Sequence, residues 1–116
     1  MPDYRSGSIW LINFEPQIGT EIKKTRPGLI ISKSSFNSKR TKITVLPFTS
    51  FDSLQKNKAA RVTVRKSNQN GLDKDSEIIT IDPATFDKKR LIEHIGQIDE
   101  KLLLKVKQKL RIYLEL

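Results

Sequence analysis

The chain is expected to fold as a mainly β (α+β) domain: a small barrel or curled sheet of the SH3-like or OB-like kind, closed by one C-terminal helix. Three observations predict it. Five or six short apolar or alternating runs are separated by Gly, Pro, Asn and Ser clusters, the pattern of short strands and turns. One long run at the end recurs at helical spacing. The whole spans 116 residues, enough for one core without staples, so 1–116 is read as a single domain.

Taken in order, Ser8–Phe14 (SIWLINF) reads as a strand with apolar side chains on both faces, hence a central one. Glu15 to Gly19 breaks it, and the polar, basic stretch to Thr25 is expected as an exposed loop. Pro27-Gly28 leads into a short buried strand, Leu29-Ile30-Ile31. Ser34–Arg40 is a polar turn region. Lys42–Phe48 alternates, with Pro47 near its end, where a strand tolerates it. Ala60–Arg65 sets Ala60, Val62 and Val64 against Arg61, Thr63 and Arg65, one buried face and one wet basic face. Asn70-Gly71 signals a turn. Ser76–Ile81 is a further strand, Asp82-Pro83 starts a short helical turn, Lys88–Arg90 is solvated, and Leu91–Ile98 is the last strand. Asp99 is the expected N-cap of the terminal helix. Along it Leu103, Val106, Leu110, Ile112, Tyr113 and Leu114 form a stripe that Leu102 and Leu104 widen, opposite a lysine-rich face.

Composition removes several kinds of chemistry. There is no cysteine, so disulfide scaffolds, thiolate metal sites and cysteine nucleophiles are excluded. The single histidine, His94, leaves little room for zinc chemistry and none for a two-imidazole mechanism; its apolar surroundings suggest a structural or surface role. No metal site and no cofactor is expected. No apolar run approaches a membrane span and the N-terminus lacks a signal-peptide pattern, so no membrane association is expected and a cytoplasmic location is.

Charge supplies the first positive clue. The chain carries a net +9, and residues 22–66 alone hold twelve bases against one acid. Such a segment attracts polyanions, nucleic acid first among them. Two strand ends hold side chains suited to a phosphate. Arg26 stands beside Pro27 at a strand mouth, where a guanidinium grips phosphate oxygens, and Pro47-Phe48-Thr49-Ser50 ends another strand with two hydroxyls. From the residues alone the reading stops at a basic β-barrel binding nucleic acid.

Four stretches resemble the MazF/PemK (Kid) family of toxin–antitoxin endoribonucleases. Gly7 to Pro16 (GSIWLINFEP) is similar to the family's opening strand. Ile18-Gly19-Thr20-Glu21 with Thr25-Arg26-Pro27-Gly28-Leu29-Ile30-Ile31 is similar to its Arg-Pro block. Val45-Leu46-Pro47-Phe48-Thr49-Ser50 is similar to its Pro-x-Thr-Ser block. Leu72–Ser76, Thr85–Leu91 and the terminal helix are similar to the remainder. The resemblance implies the barrel that these toxins share with the CcdB gyrase poisons, and a homodimer with single-stranded RNA across its groove. It implies metal-independent cleavage by attack of the RNA 2′-hydroxyl, and a cognate antitoxin laying an acidic tail into the same groove. Arg26 and Thr49 would be catalytic, with Ser50 and Asp82 as support. RNA contacts would come from Thr20, Glu21, Lys23, Lys24, Arg61 and Thr85, and from Phe48 and Phe51, with core packing the competing role for Phe48. Departures are visible: Ile81 replaces an acid and Ala84 an arginine of the family pattern, and Lys23 and Lys24 are expected to make up the lost charge. These departures also permit a catalytically impaired RNA- or antitoxin-binding barrel. A gyrase-directed inhibitor on the same fold lacks motif support. The identity of the general base stays open, because an arginine stays protonated and is a poor base.

Overall fold

Strand pairing follows the chain closely. The computed structural model describes residues 4–14, 25–54 and 58–116. Its elements are β1 (Ser8–Asn13), β2 (Thr25–Ile30), a one-turn helix α1 (Ser34–Asn37), β3 (Lys42–Ser50), β4 (Arg61–Val64), β5 (Ser76–Ile79), β6 (Ala84–Asp87), a 3-10 turn (Lys88–Arg90), β7 (Leu91–Gln97) and α2 (Glu100–Leu114). The strands form one seven-stranded sheet in the order β4-β5-β3-β2-β1-β7, with β6 added beside β3. Every pairing is antiparallel. As expected, β1 is central, between β2 and β7, and both its faces are buried. Ile9 joins one core cluster with Leu29, Leu46, Phe48 and Ile78, and Trp10 and Ile12 join a second with Ile30, Ile43 and Val45. The alternation required of a strand therefore feeds two cores.

β3 holds the two halves together. Its first part pairs with β6 (Lys42↔Asp87 to Val45↔Ala84) and with β2 (Val45↔Ile30 to Pro47↔Gly28). Its last three residues pair instead with β5, Phe48↔Ile78 to Ser50↔Ser76. β6 is a strand where the sequence suggested a helical turn. Its four residues are too few and too polar to announce themselves, and pairing with β3 decides the conformation. Pro27 and Gly28 lie inside β2 rather than ahead of it. A side chain at Gly28 would meet Ile12, so glycine lets β1 and β2 lie close.

The turn after β4 is pressed flat onto β7. Gly71 has φ 70°, a left-handed conformation that glycine adopts without steric cost, and any Cβ there would strike the backbone of Ile95. Asn70 Oδ1 accepts from the N–H groups of Ser67 and Leu72, at 3.0 Å each. This pins residues 71–74 beside β7.

α2 starts where expected. Asp99 accepts from the N–H of Lys101 at 3.0 Å, and Val106 is fully buried with Leu102, Leu103 and Leu110 packed on the same core. The expected apolar stripe stops short, however. Ile112, Tyr113 and Leu114 are exposed, as are Leu104 and Leu116, and Val106 is the helix's one buried residue. Among the described residues no helix is long and apolar enough to cross a membrane.

One buried charge cluster ties the hairpin β4–β5 to the end of β3. Glu77 on β5 is completely buried and accepts from Arg61 Nη1 at 2.9 Å and from Lys58 Nζ. Burial alone would push its carboxyl up. The hydrogen bonds and charges of Lys58 and Arg61 outweigh that and hold it below the ordinary carboxylate range. The stabilisation is therefore present above the unfolded pKa and is lost as pH falls through the lower, folded value. Removing one partner of a buried pair is costly because the other is left uncompensated.

Denaturant titrations should show stability steady from neutral pH to about 5, then falling with acid. Glu77→Gln should cost about 2 kcal/mol at pH 7 and flatten that acid dependence. Gly71→Ala should lower stability by about 1–3 kcal/mol, read from the urea midpoint, through strain at a left-handed position.

Candidate active site

The site lies where β2 and β3 part. Their register, Gly28 opposite Pro47, continued by two residues would set Arg26 opposite Thr49. It does not continue: the pairing ends at Gly28↔Pro47, and Pro27, next on the edge of β2 that faces β3, has no N–H to give Phe48. Beyond Gly28, β2 stays with β1 (Arg26↔Ile12, Pro27↔Leu11) while β3 pairs with β5 along its other edge. The mouth between them opens into a cavity of about 730 Å³.

Arg26, Thr49 and Ser50 all line this cavity. Arg26 and Ser50 are exposed and Thr49 is half-buried. Arg26 has no ion pair or hydrogen bond among the described residues, so its five N–H donors are available to a ligand. Thr49 is held from behind, as the cross-strand neighbour of the buried Glu77. Lys58, hydrogen-bonded to Glu77, also donates to the Asp52 carbonyl at 2.8 Å, which fixes the chain just past Ser50. A strand end bearing hydroxyls and an unpaired guanidinium thus border one cavity, an arrangement suited to a phosphoryl group on which negative charge builds.

The opposite wall comes from parts of the chain that the motifs did not mark. Leu72, Asp73 and Lys74 reach the cavity from the loop pressed against β7, and Glu93 and Ile95 reach it from β7 itself. His94 also borders the cavity, but alternation along β7 turns its ring the other way. The ring sits edge-on to Trp10, with centroids 5.4 Å apart, which agrees with a structural or surface histidine. Glu93 could have been found only by knowing that its strand neighbours β1, since an acid in an apolar alternation carries no signature. Among the described residues no three His, Asp or Glu side chains gather as a metal site would require.

The remaining candidates fall in different places. Phe48 borders the cavity, but its side chain is only 2% exposed and belongs to the core. It packs rather than offering a face to a base, because alternation along β3 turns it inward. Phe51 is exposed, with the Lys58 ammonium 4.7 Å and the Arg65 guanidinium 5.5 Å from its ring centre. Arg61 is bonded to Glu77, so its guanidinium is not free for a phosphate as its place on the wet face suggested. Thr85 shares a 2.8 Å hydrogen bond with Thr44 on the face of β6, and Asp82 is exposed ahead of β6; neither lines the cavity. Thr20, Glu21, Lys23 and Lys24 lie outside the described residues.

Comparisons with known proteins place the whole chain in one family. Residues 5–114 match the family model of the PemK-like, MazF-like toxins of type II toxin–antitoxin systems. The endoribonuclease MazF of Staphylococcus epidermidis is 31% identical over 97% of this chain and 92% of its own. Endoribonuclease EndoA of Bacillus subtilis (strain 168) is 28% identical over 97% and 95%. Among solved structures, a mycobacterial endoribonuclease in complex with its cognate antitoxin shares the fold with a TM-score of 0.75, at 17% identity, over 100% of this chain and 97% of that one. With nearly the whole chain matched, the strand-end arginine and threonine belong to a toxin of the PemK/MazF family of type II toxin–antitoxin systems.

Proposed function

We propose that this toxin is an endoribonuclease that cuts single-stranded RNA in the cytoplasm at the mouth between β2 and β3. The observation that carries the reading is that Arg26, unpaired among the described residues, and Thr49 line one cavity. The RNA 2′-oxygen attacks the adjacent phosphorus as its proton passes to solvent, the bond to the 5′-oxygen breaks as that oxygen takes up a proton, and a 2′,3′-cyclic phosphate and a 5′-hydroxyl are left. The nucleophile is already tethered beside its target, so the entropic part of the barrier is small without a metal template. Negative charge grows on the phosphoryl oxygens as phosphorus becomes five-coordinate. Arg26 meets that charge, and Thr49, with Ser50 beside it, donates hydrogen bonds that strengthen in the transition state. The 2′-hydroxyl requirement restricts the reaction to RNA.

Partners follow from charge and from the uncovered helix. The basic segment 22–66 suits an acidic antitoxin tail, which would cover Arg26 and exclude RNA. Part of that charge is neutralised internally, by Lys58 and Arg61 on Glu77 and by Arg65 on Asp75 at 3.0 Å. Arg26, on the cavity, keeps its charge. The exposed Ile112, Tyr113, Leu114 and Leu116 at the end of α2 fit a homodimer contact.

Cleavage of a long RNA in EDTA tests the reading. Arg26→Ala should lower the rate by about 10²–10³-fold, the usual cost of losing a transition-state charge partner, and Thr49→Ala should lower it by about tenfold or more. An RNA with 2′-deoxy nucleotides at its cut sites should stay intact. Binding by the wild type without cleavage would leave an RNA-binding barrel instead. Sedimentation should give twice 13.3 kDa for the wild type and a monomer for an Ile112→Asp/Leu116→Asp double variant; an unchanged mass in that variant would remove the helix-end contact.

A further inference from the structure

We infer that Glu93 makes the cavity a base-reading pocket, selecting a nucleobase that presents hydrogen-bond donors next to the scissile phosphate. The inference rests on the proposed cleavage at Arg26 and Thr49 and adds a specificity determinant to it. Pro27 on β2, Leu11 on β1 and Glu93 on β7 stand in one cross-strand row, because Leu11 pairs with Pro27 on one side and with Glu93 on the other. Two strand spacings separate the row's ends, about 10 Å, a gap that one unstacked nucleotide bridges. Arg26 and this row border the same cavity, so a phosphate held at Arg26 would leave its base within reach of Leu11 and Glu93.

The lining favours a base there over a second phosphate. Leu11, Pro27 and Ile95 offer apolar surface for the faces of a ring. The carboxylates of Glu93 and Asp73 on the far wall repel phosphate oxygens and accept hydrogen bonds. Neither carboxylate has an ion pair or hydrogen bond among the described residues, so both remain free acceptors. Unpaired RNA exposes its Watson–Crick edges. Guanine presents an imino and an amino donor side by side and fits a carboxylate through both. Cytosine and adenine offer one amino group, and uracil, with carbonyl oxygens flanking its single N–H, fits worst.

The experiment compares wild type, Glu93→Gln and Glu93→Asp. The 5′-hydroxyl ends formed from a long unstructured RNA are sequenced. Binding is measured to oligonucleotides that carry a 2′-deoxy block at the cut and differ only in the neighbouring base. The wild type should favour guanine over uracil at one flanking position by about tenfold or more. Glu93→Gln should lose that preference while melting at the wild-type temperature, and Glu93→Asp should keep part of it. Cleavage with base choice unchanged in Glu93→Gln, or a wild type indifferent to the neighbouring base, would overturn the inference and leave the nuclease reading standing. Binding with a guanine preference lost in Glu93→Gln, but without cleavage by any form, would do the reverse.

Discussion

The structure depends on where one ladder stops. β2 and β3 pair through Ile30↔Val45, Leu29↔Leu46 and Gly28↔Pro47, and the next residue of β2 is Pro27, which has no N–H to give Phe48. A residue with an N–H there could extend the pairing toward Arg26 and Thr49 and close the mouth. Beyond that point β2 is held by β1, and β3 keeps β5 along its other edge. A guanidinium and a hydroxyl that a regular sheet would have placed side by side instead face a shared space. The site is a consequence of backbone chemistry before it is a collection of side chains.

Several features keep that opening from relaxing. Glu77 lies behind Thr49 and is gripped by Lys58 and Arg61, so the strand end cannot swing without exposing a buried carboxylate. The carboxyl of Asp75 is held below its ordinary range by the Lys66 N–H and by Arg65, which anchors the loop ahead of β5 at the same end. Opposite, the close fit of Gly71 and Gly96 against neighbouring backbone fixes the wall that carries Asp73. Preorganisation of this kind lets a few polar groups act on a transition state without rearranging.

Much of this was legible in the chain. The doubly apolar run at Ser8–Phe14, the alternation at Lys42–Phe48 and the Asp99-capped helix each depend on local periodicity, and each appears in place. Arg26 and Thr49 stood out because the surrounding blocks resemble a family, and the structure sets both on one cavity. What escaped depends on pairing between distant segments. Ala84–Asp87 becomes a strand only because β3 offers it an edge. Arg61 looked like a free surface cation because Glu77, sixteen residues away, reads locally as an ordinary strand acid. The helix stripe was legible, but its exposed end was not, since periodicity cannot say how far the sheet beneath a helix extends.

The most direct test of the central claim is a double-mutant cycle for RNA cleavage over Arg26→Ala and Thr49→Ala. Two groups acting on one phosphoryl group lose much of their separate effects once either is gone. The account therefore predicts that the double variant cleaves far faster than the product of the two single losses would allow. Losses that simply multiply would mean that the two side chains act independently, and would contradict a shared site at the parting of β2 and β3.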